Sequence, residues 1–105
     1  MQDSLYKLFN TIVARRNASP ESSYVAKLMS KGIAHIAKKV GEEGVEVSIA
    51  ATQNDKDATI RESADVLFHL MVLWAAMNIT PEDIMKELER REGVSGIEEK
   101  NKRAQ

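Results

Sequence analysis

The stretch Ala64–Met77 is apolar at every one of its 14 positions except Asp65 and His69. A helix made from it is apolar on nearly every side, and such a helix is buried on nearly every side. Spanning a membrane takes about 20 apolar residues, so the run reads as a core helix and no membrane association is expected. A chain of 105 residues has limited room to cover such a helix alone. A second copy of the chain is therefore expected to complete the core.

The remaining apolar residues also recur at helical spacing, and no segment alternates as a strand does. The expected fold is all-α: a small bundle of about five helices, completed by dimerisation, in a single domain over residues 1–105. Leu5, Leu8, Phe9, Ile12 and Val13 mark a first helix from about Ser4 to Arg16. Ser22 or Ser23 caps a short second helix that Gly32 stops. The third runs from about Ile33 to Gln53, with Ile33, Ile36, Val40, Val47 and Ala51 expected on its inner face. A turn around Asn54 leads to the fourth, about Ala58 to Asn78, capped by Asp55 or Asp57. Thr80-Pro81-Glu82-Asp83 then opens a fifth helix: Thr as cap, Pro in the first turn, acidic side chains at the positive end of the dipole. Gly93 ends it, and the sequence leaves the order of the polar tail from about Val94 open.

Five carboxylates sit on the third and fourth helices. Glu42, Glu43 and Glu46 lie on one, Glu62 and Asp65 on the other, and side chains three or four apart on a helix are neighbours, Cβ to Cβ roughly 5–6 Å. In a hairpin turning at Asn54, residues equidistant from the turn face each other, Glu46 with Glu62 and Glu43 with Asp65. Burial is expected to fall in the order Glu43, Glu46, Glu42. Anionic groups this close are tolerated if the helices diverge, the groups protonate, or cations neutralise them. Hard divalent cations answer the third case: Mg²⁺ takes a few carboxylates, keeps several waters and bridges substrate phosphates. The alternative is a solvated acidic face, with Lys38 and Lys39 pairing with Glu42 and Glu43 one turn on.

Other chemistries find no support. Cysteine is absent, which removes disulfides and thiolate ligands and suits a reducing cytosol. Net charge is −1, without the basic footprint of a nucleic-acid binder, and the first residues lack the basic-then-apolar pattern of a signal peptide. The segment Gly41-Glu42-Glu43-Gly44 is followed by Val45 and Glu46, not by the lysine and hydroxyl residue of a phosphate-binding loop. Neither His35 nor His69 has a glutamate three positions before it, as di-iron bundles require. His69 reads as a hydrogen-bonded core histidine, with ligand or proton shuttle as the alternative. An all-oxygen donor set suits Mg²⁺ or Mn²⁺, and metal-activated water is the expected nucleophile.

The arrangement E-E-x-x-E, fifteen intervening residues, then E-x-x-D resembles the motif of the all-α nucleoside-triphosphate pyrophosphatases, the MazG-like superfamily. Further segments narrow the likeness: Ser23-Tyr24-Val25-Ala26-Lys27-Leu28 with Lys31-Gly32, then Lys38-Lys39-Val40-Gly41-Glu42-Glu43, then Glu62 to Leu70, and finally Arg90-Arg91-Glu92-Gly93-Val94-Ser95-Gly96-Ile97-Glu98-Glu99-Lys100. In order, from about Leu5 to Arg103, they resemble the phosphoribosyl-ATP pyrophosphohydrolase family. The resemblance implies a cytoplasmic helical oligomer, most simply a homodimer. It would act in the second step of histidine biosynthesis, hydrolysing phosphoribosyl-ATP between its α and β phosphates to phosphoribosyl-AMP and pyrophosphate.

By motif position the resemblance makes Glu43, Glu46, Glu62 and Asp65 Mg²⁺ ligands. Glu42 becomes a fifth carboxylate that orients the attacking water or binds a second ion. Lys38 or Lys39, with Arg90 and Arg91 behind them, would bind the departing pyrophosphate. Two other readings stand beside this one: a related pyrophosphatase acting on noncanonical nucleotides, and a noncatalytic helical dimerisation module in which the carboxylates are dispensable.

Overall fold

The structure, a computed structural model, describes residues 2–93 and 96–104. It contains six helices: α1 (Gln2–Arg15), α2 (Tyr24–Lys31), α3 (Ile33–Thr52), α4 (Lys56–Ala76), α5 (Pro81–Arg91) and α6 (Gly96–Ala104). No strand occurs among the described residues. The all-α expectation holds, and the five expected helices lie within about two residues of their anticipated bounds. The sixth forms in the tail, whose residues Val94 and Ser95 lie outside those described. No single helix among the described residues is long and apolar enough to cross a membrane.

Local chemistry sets the helix ends. The Ser23 side chain accepts from the Ala26 N–H at 3.2 Å, opening α2, and Gly32 ends it at φ +94°, a left-handed backbone that glycine adopts without a Cβ penalty. Asn54, also left-handed at φ +56°, closes the α3–α4 hairpin. Its N–H reaches the Ala51 carbonyl at 3.0 Å, and the Asp55 carboxylate accepts from the Ala58 N–H at 3.0 Å, capping α4. At α5, Thr80 and Asp83 cap each other reciprocally, side chain to backbone, at 3.2 and 2.9 Å.

One core cluster holds the chain together. Phe9 and Ile12 from α1, Val25 and Leu28 from α2, Ile36 from α3, and Met71, Val72 and Ala75 from α4 are all buried in mutual contact. These residues occupy the first half of α3 and the second half of α4. The core therefore grips the hairpin at the end away from its turn. The other end stands clear: Val45, Ile49, Ile60 and Leu67 are 59, 51, 68 and 43% exposed.

This arrangement corrects the expected inner face of α3. Only Ile36 and Ala50 are buried there; Val40 and Val47 are half-buried, while Ile33 and Ala51 are exposed. A helix with apolar residues on several sides does not reveal which side is covered; here Ile36 joins the cluster formed with α1, α2 and α4. The radius of gyration, 15.7 Å, exceeds the roughly 13 Å of a compact chain this long. The accessible surface, 7465 Å², exceeds the roughly 5,900 Å² of a compact monomer of this mass.

Candidate metal centre

The carboxylates lie in the seam of the α3–α4 hairpin. On α3, Ile36, Glu43 and Ala50 follow at intervals of seven residues; on α4, Glu62, Asp65, His69, Val72 and Ala76 follow at alternating intervals of three and four. Both spacings keep side chains on one helix face. Buried hydrophobic residues fill the seam at the core end, and acidic residues replace them where the hairpin leaves the core. Their position on a continuation of the core stripe explains why charged groups point inward at all.

Oxygen atoms of Glu43, Glu62 and Asp65 converge to within 4.8 Å of one another. Glu43 and Glu62 are half-buried and Asp65 is exposed. Glu46 and Glu42 are both exposed, so Glu43 is the most buried carboxylate of α3, as its phase indicated. Glu62 is the focus of the strain. A proton shared with Glu46 raises its pKa most, followed by burial and then by the charges of Glu46, Asp65 and Glu43. Its Oε2 is closed off from solvent with no hydrogen-bond partner.

Among the described residues, no ion pair joins Lys38 or Lys39 to Glu42 or Glu43, and Glu42, Glu46 and Asp65 face solvent. Three converging carboxylates and one orphaned buried oxygen make a donor set that fits a hard divalent cation, which binds oxygen ligands of this kind. The cluster can hold a metal ion. A cleft of about 220 Å³, lined by Glu46, Ile49, Ala50, Gln53, Ala58 and Glu62, opens beside it.

Behind Asp65 lies an aromatic group. His69 is buried, 6% exposed, as expected of a core histidine. Its Nδ1 lies 2.8 Å from the Asp65 carbonyl. A carbonyl only accepts, so Nδ1 carries the proton and Nε2 is left to accept from the Tyr24 hydroxyl at 3.0 Å. The Tyr24 and Phe68 rings stack with centroids 6.0 Å apart and planes 20° apart. Tyr24 was absent from the expected site. It stands 45 positions before His69, and its signals in the sequence are its place beside the α2 cap and in the Ser23–Leu28 segment that carries the family resemblance.

The basic residues are distributed differently from the carboxylates. Lys38 is exposed and Lys39 half-buried, three to five positions before the acidic pair on α3. Arg90 and Arg91 converge on Glu87 of their own helix: Arg90 contacts both carboxylate oxygens, at 3.0 and 2.8 Å, and Arg91 donates to one at 2.9 Å. The two arginines hold the Glu87 pKa down to about 2.

Comparison with known proteins adds an independent line. A family model described as phosphoribosyl-ATP pyrophosphohydrolase matches residues 5–92. The chain is 54% identical over 99 residues to a phosphoribosyl-ATP pyrophosphatase of Azospirillum brasilense, covering 94% of this chain and 89% of that protein. It is 48% identical over 101 residues to one of Erythrobacter litoralis, covering 96% and 97%. A third, from Granulibacter bethesdensis, is 50% identical over 100 residues; the match takes in 95% of this chain and 62% of that longer relative.

Proposed function

The chain belongs to the phosphoribosyl-ATP pyrophosphohydrolase family, and we propose that it hydrolyses phosphoribosyl-ATP to phosphoribosyl-AMP and pyrophosphate, the second step of histidine biosynthesis, in the cytoplasm. The observation that carries this reading is the convergence of Glu43, Glu62 and Asp65 oxygens to within 4.8 Å of one another, with the Oε2 of Glu62 closed off from solvent and unpartnered. Family and site agree on one kind of chemistry: hydrolysis of a phosphoric anhydride.

Glu43, Glu46, Glu62 and Asp65 are the residues that would hold Mg²⁺, or Mn²⁺ in its place. Bound there, such an ion would supply charge neutralisation for the phosphates and a lowered pKa for a water. Glu42, exposed on α3, is the fifth carboxylate, which would orient the attacking water and take its proton, or bind a second ion. Water oxygen attacks the α phosphorus, the α–β bridging bond breaks, and pyrophosphate leaves with the bridging oxygen. Lys38 and Lys39, on the solvent side, carry positive charge that favours the leaving group. Arg90 and Arg91 join them once the phosphates compete with Glu87. Two copies of the chain form the working enzyme, since the hairpin that bears the carboxylates exposes its apolar faces in one copy.

Purified protein with Mg²⁺, phosphoribosyl-ATP and a panel of ordinary and modified nucleoside triphosphates tests the proposal. Pyrophosphate release should be fastest by far from phosphoribosyl-ATP. Preference for a modified triphosphate would transfer the activity to the clearance of noncanonical nucleotides. No turnover of any of them would leave a dimerisation module.

A further inference from the structure

Tyr24 is a large ring that is 49% exposed and yet fixed at two points. Its hydroxyl is bound to His69 at 3.0 Å, and Phe68 stacks against it. Phe68 and His69 follow Asp65 on α4 by three and four residues, so they lie one helical turn, ~5.4 Å, from that carboxylate on its own side of the helix. His69 meets Phe68 edge-on, with centroids 5.3 Å apart and planes at 89°. This geometry leaves the ring of Tyr24 little freedom to turn.

We propose that Tyr24 is a substrate-contacting residue: its ring stacks on the purine base of the nucleotide whose phosphates meet Glu43, Glu62 and Asp65. The proposal rests on the function given above and deepens it to a source of affinity for the substrate's base. A base lies one ribose away from the α phosphate, a separation of the same order as the helical turn between Asp65 and the Tyr24 group. A ring already held in place loses little conformational entropy when a base covers it. Aromatic side chains bind bases through their π faces whatever the base, so Tyr24 supplies affinity for a purine while discrimination of the phosphoribosyl group falls to other residues. His69 acts as a positioning residue through the Tyr24 hydroxyl.

The test combines NMR with kinetics. With Mg²⁺ and α,β-methylene-ATP, which cannot be cut at the scissile position, intermolecular NOEs should join Tyr24 ring protons to adenine H2 or H8. Mg²⁺ with inorganic tripolyphosphate should leave the Tyr24 ring resonances in place. Tyr24→Leu should raise KM for phosphoribosyl-ATP by about 5- to 100-fold with kcat little moved. Tyr24→Phe, which keeps the ring, should recover most of that affinity. Absence of the NOEs overturns the proposal, and so does a Tyr24→Leu variant that loses kcat at unchanged KM, as a purely structural prop would. Failure of the wild-type protein to turn over phosphoribosyl-ATP counts against the activity instead, and the NOEs on wild-type protein still decide the role of Tyr24.

Discussion

Glu62 shows how a single side chain records a missing partner. Its pKa is raised through a shared proton with Glu46, burial, and the charges of Glu46, Asp65 and Glu43. The folded chain thus binds a proton more tightly than the unfolded chain does at this position. Stability of the metal-free protein should therefore fall as pH rises from about 4.5, the ordinary value, through the raised one. Glu62→Gln removes the repulsion and should raise the melting temperature of the metal-free protein by a few degrees. The same change should erase the stabilisation that Mg²⁺ gives the wild type and cut activity by roughly 100-fold or more. Thermal melts with and without Mg²⁺, beside the assay, check all three. Most of this site was legible in the sequence, because Glu43, Glu62 and Asp65 are local in two helices joined by a short turn. Tyr24 was not legible, because its contact with His69 depends on how α2 docks, and periodicity carries no information on docking.

Helices, one step up in scale, were foreseen where their ends carry chemistry. The reciprocal cap of Thr80 and Asp83 was readable directly; Thr80→Ala should cost about 1 kcal/mol, measured by urea unfolding. The covered side of α3 was misread because its apolar residues surround the helix, and only packing against its neighbours decides that Ile36 is covered and Ile33 is not. Helix α6, GIEEKNKRA, has no apolar stripe to announce it; its helical signals are its Glu and Lys content, Glu98 four residues before Lys102, and a basic last turn. On α5, Glu87 binds both arginines and has its pKa held at about 2. A depressed carboxylate pKa contributes stability that is present above about 4.5 and lost as pH falls toward 2. Glu87→Gln should lose that contribution near neutrality and flatten the stability profile, so that variant and wild type converge as pH falls toward 2, as acid titration followed by circular dichroism would reveal.

For the whole molecule, surface and radius both exceed those of a compact monomer, and Val45, Ile49, Ile60 and Leu67 stand exposed on the hairpin. A groove of about 330 Å³, lined by Gly44, Val47, Ser63, Val66 and Leu67, runs along its outer side. With the proposed dimer seated there, sizing should report twice 11.7 kDa at micromolar concentration, and Leu67→Glu should shift the profile to the monomer without altering helicity. The sequence implied a partner through the run Ala64–Met77, but the hairpin's exposed end appears only once α1 and α2 have taken their places at the other. All the converging carboxylates lie within one hairpin, beyond the cluster that anchors the chain. That hairpin end can open while the anchored core stays folded, since regions with few buried contacts open at lower free energy than the core. Amide hydrogen exchange should then separate the chain into two clocks: slow around Ile36 and Val72 under all conditions, and fast from Val47 to Arg61 until Mg²⁺ ties the two strands of the hairpin together.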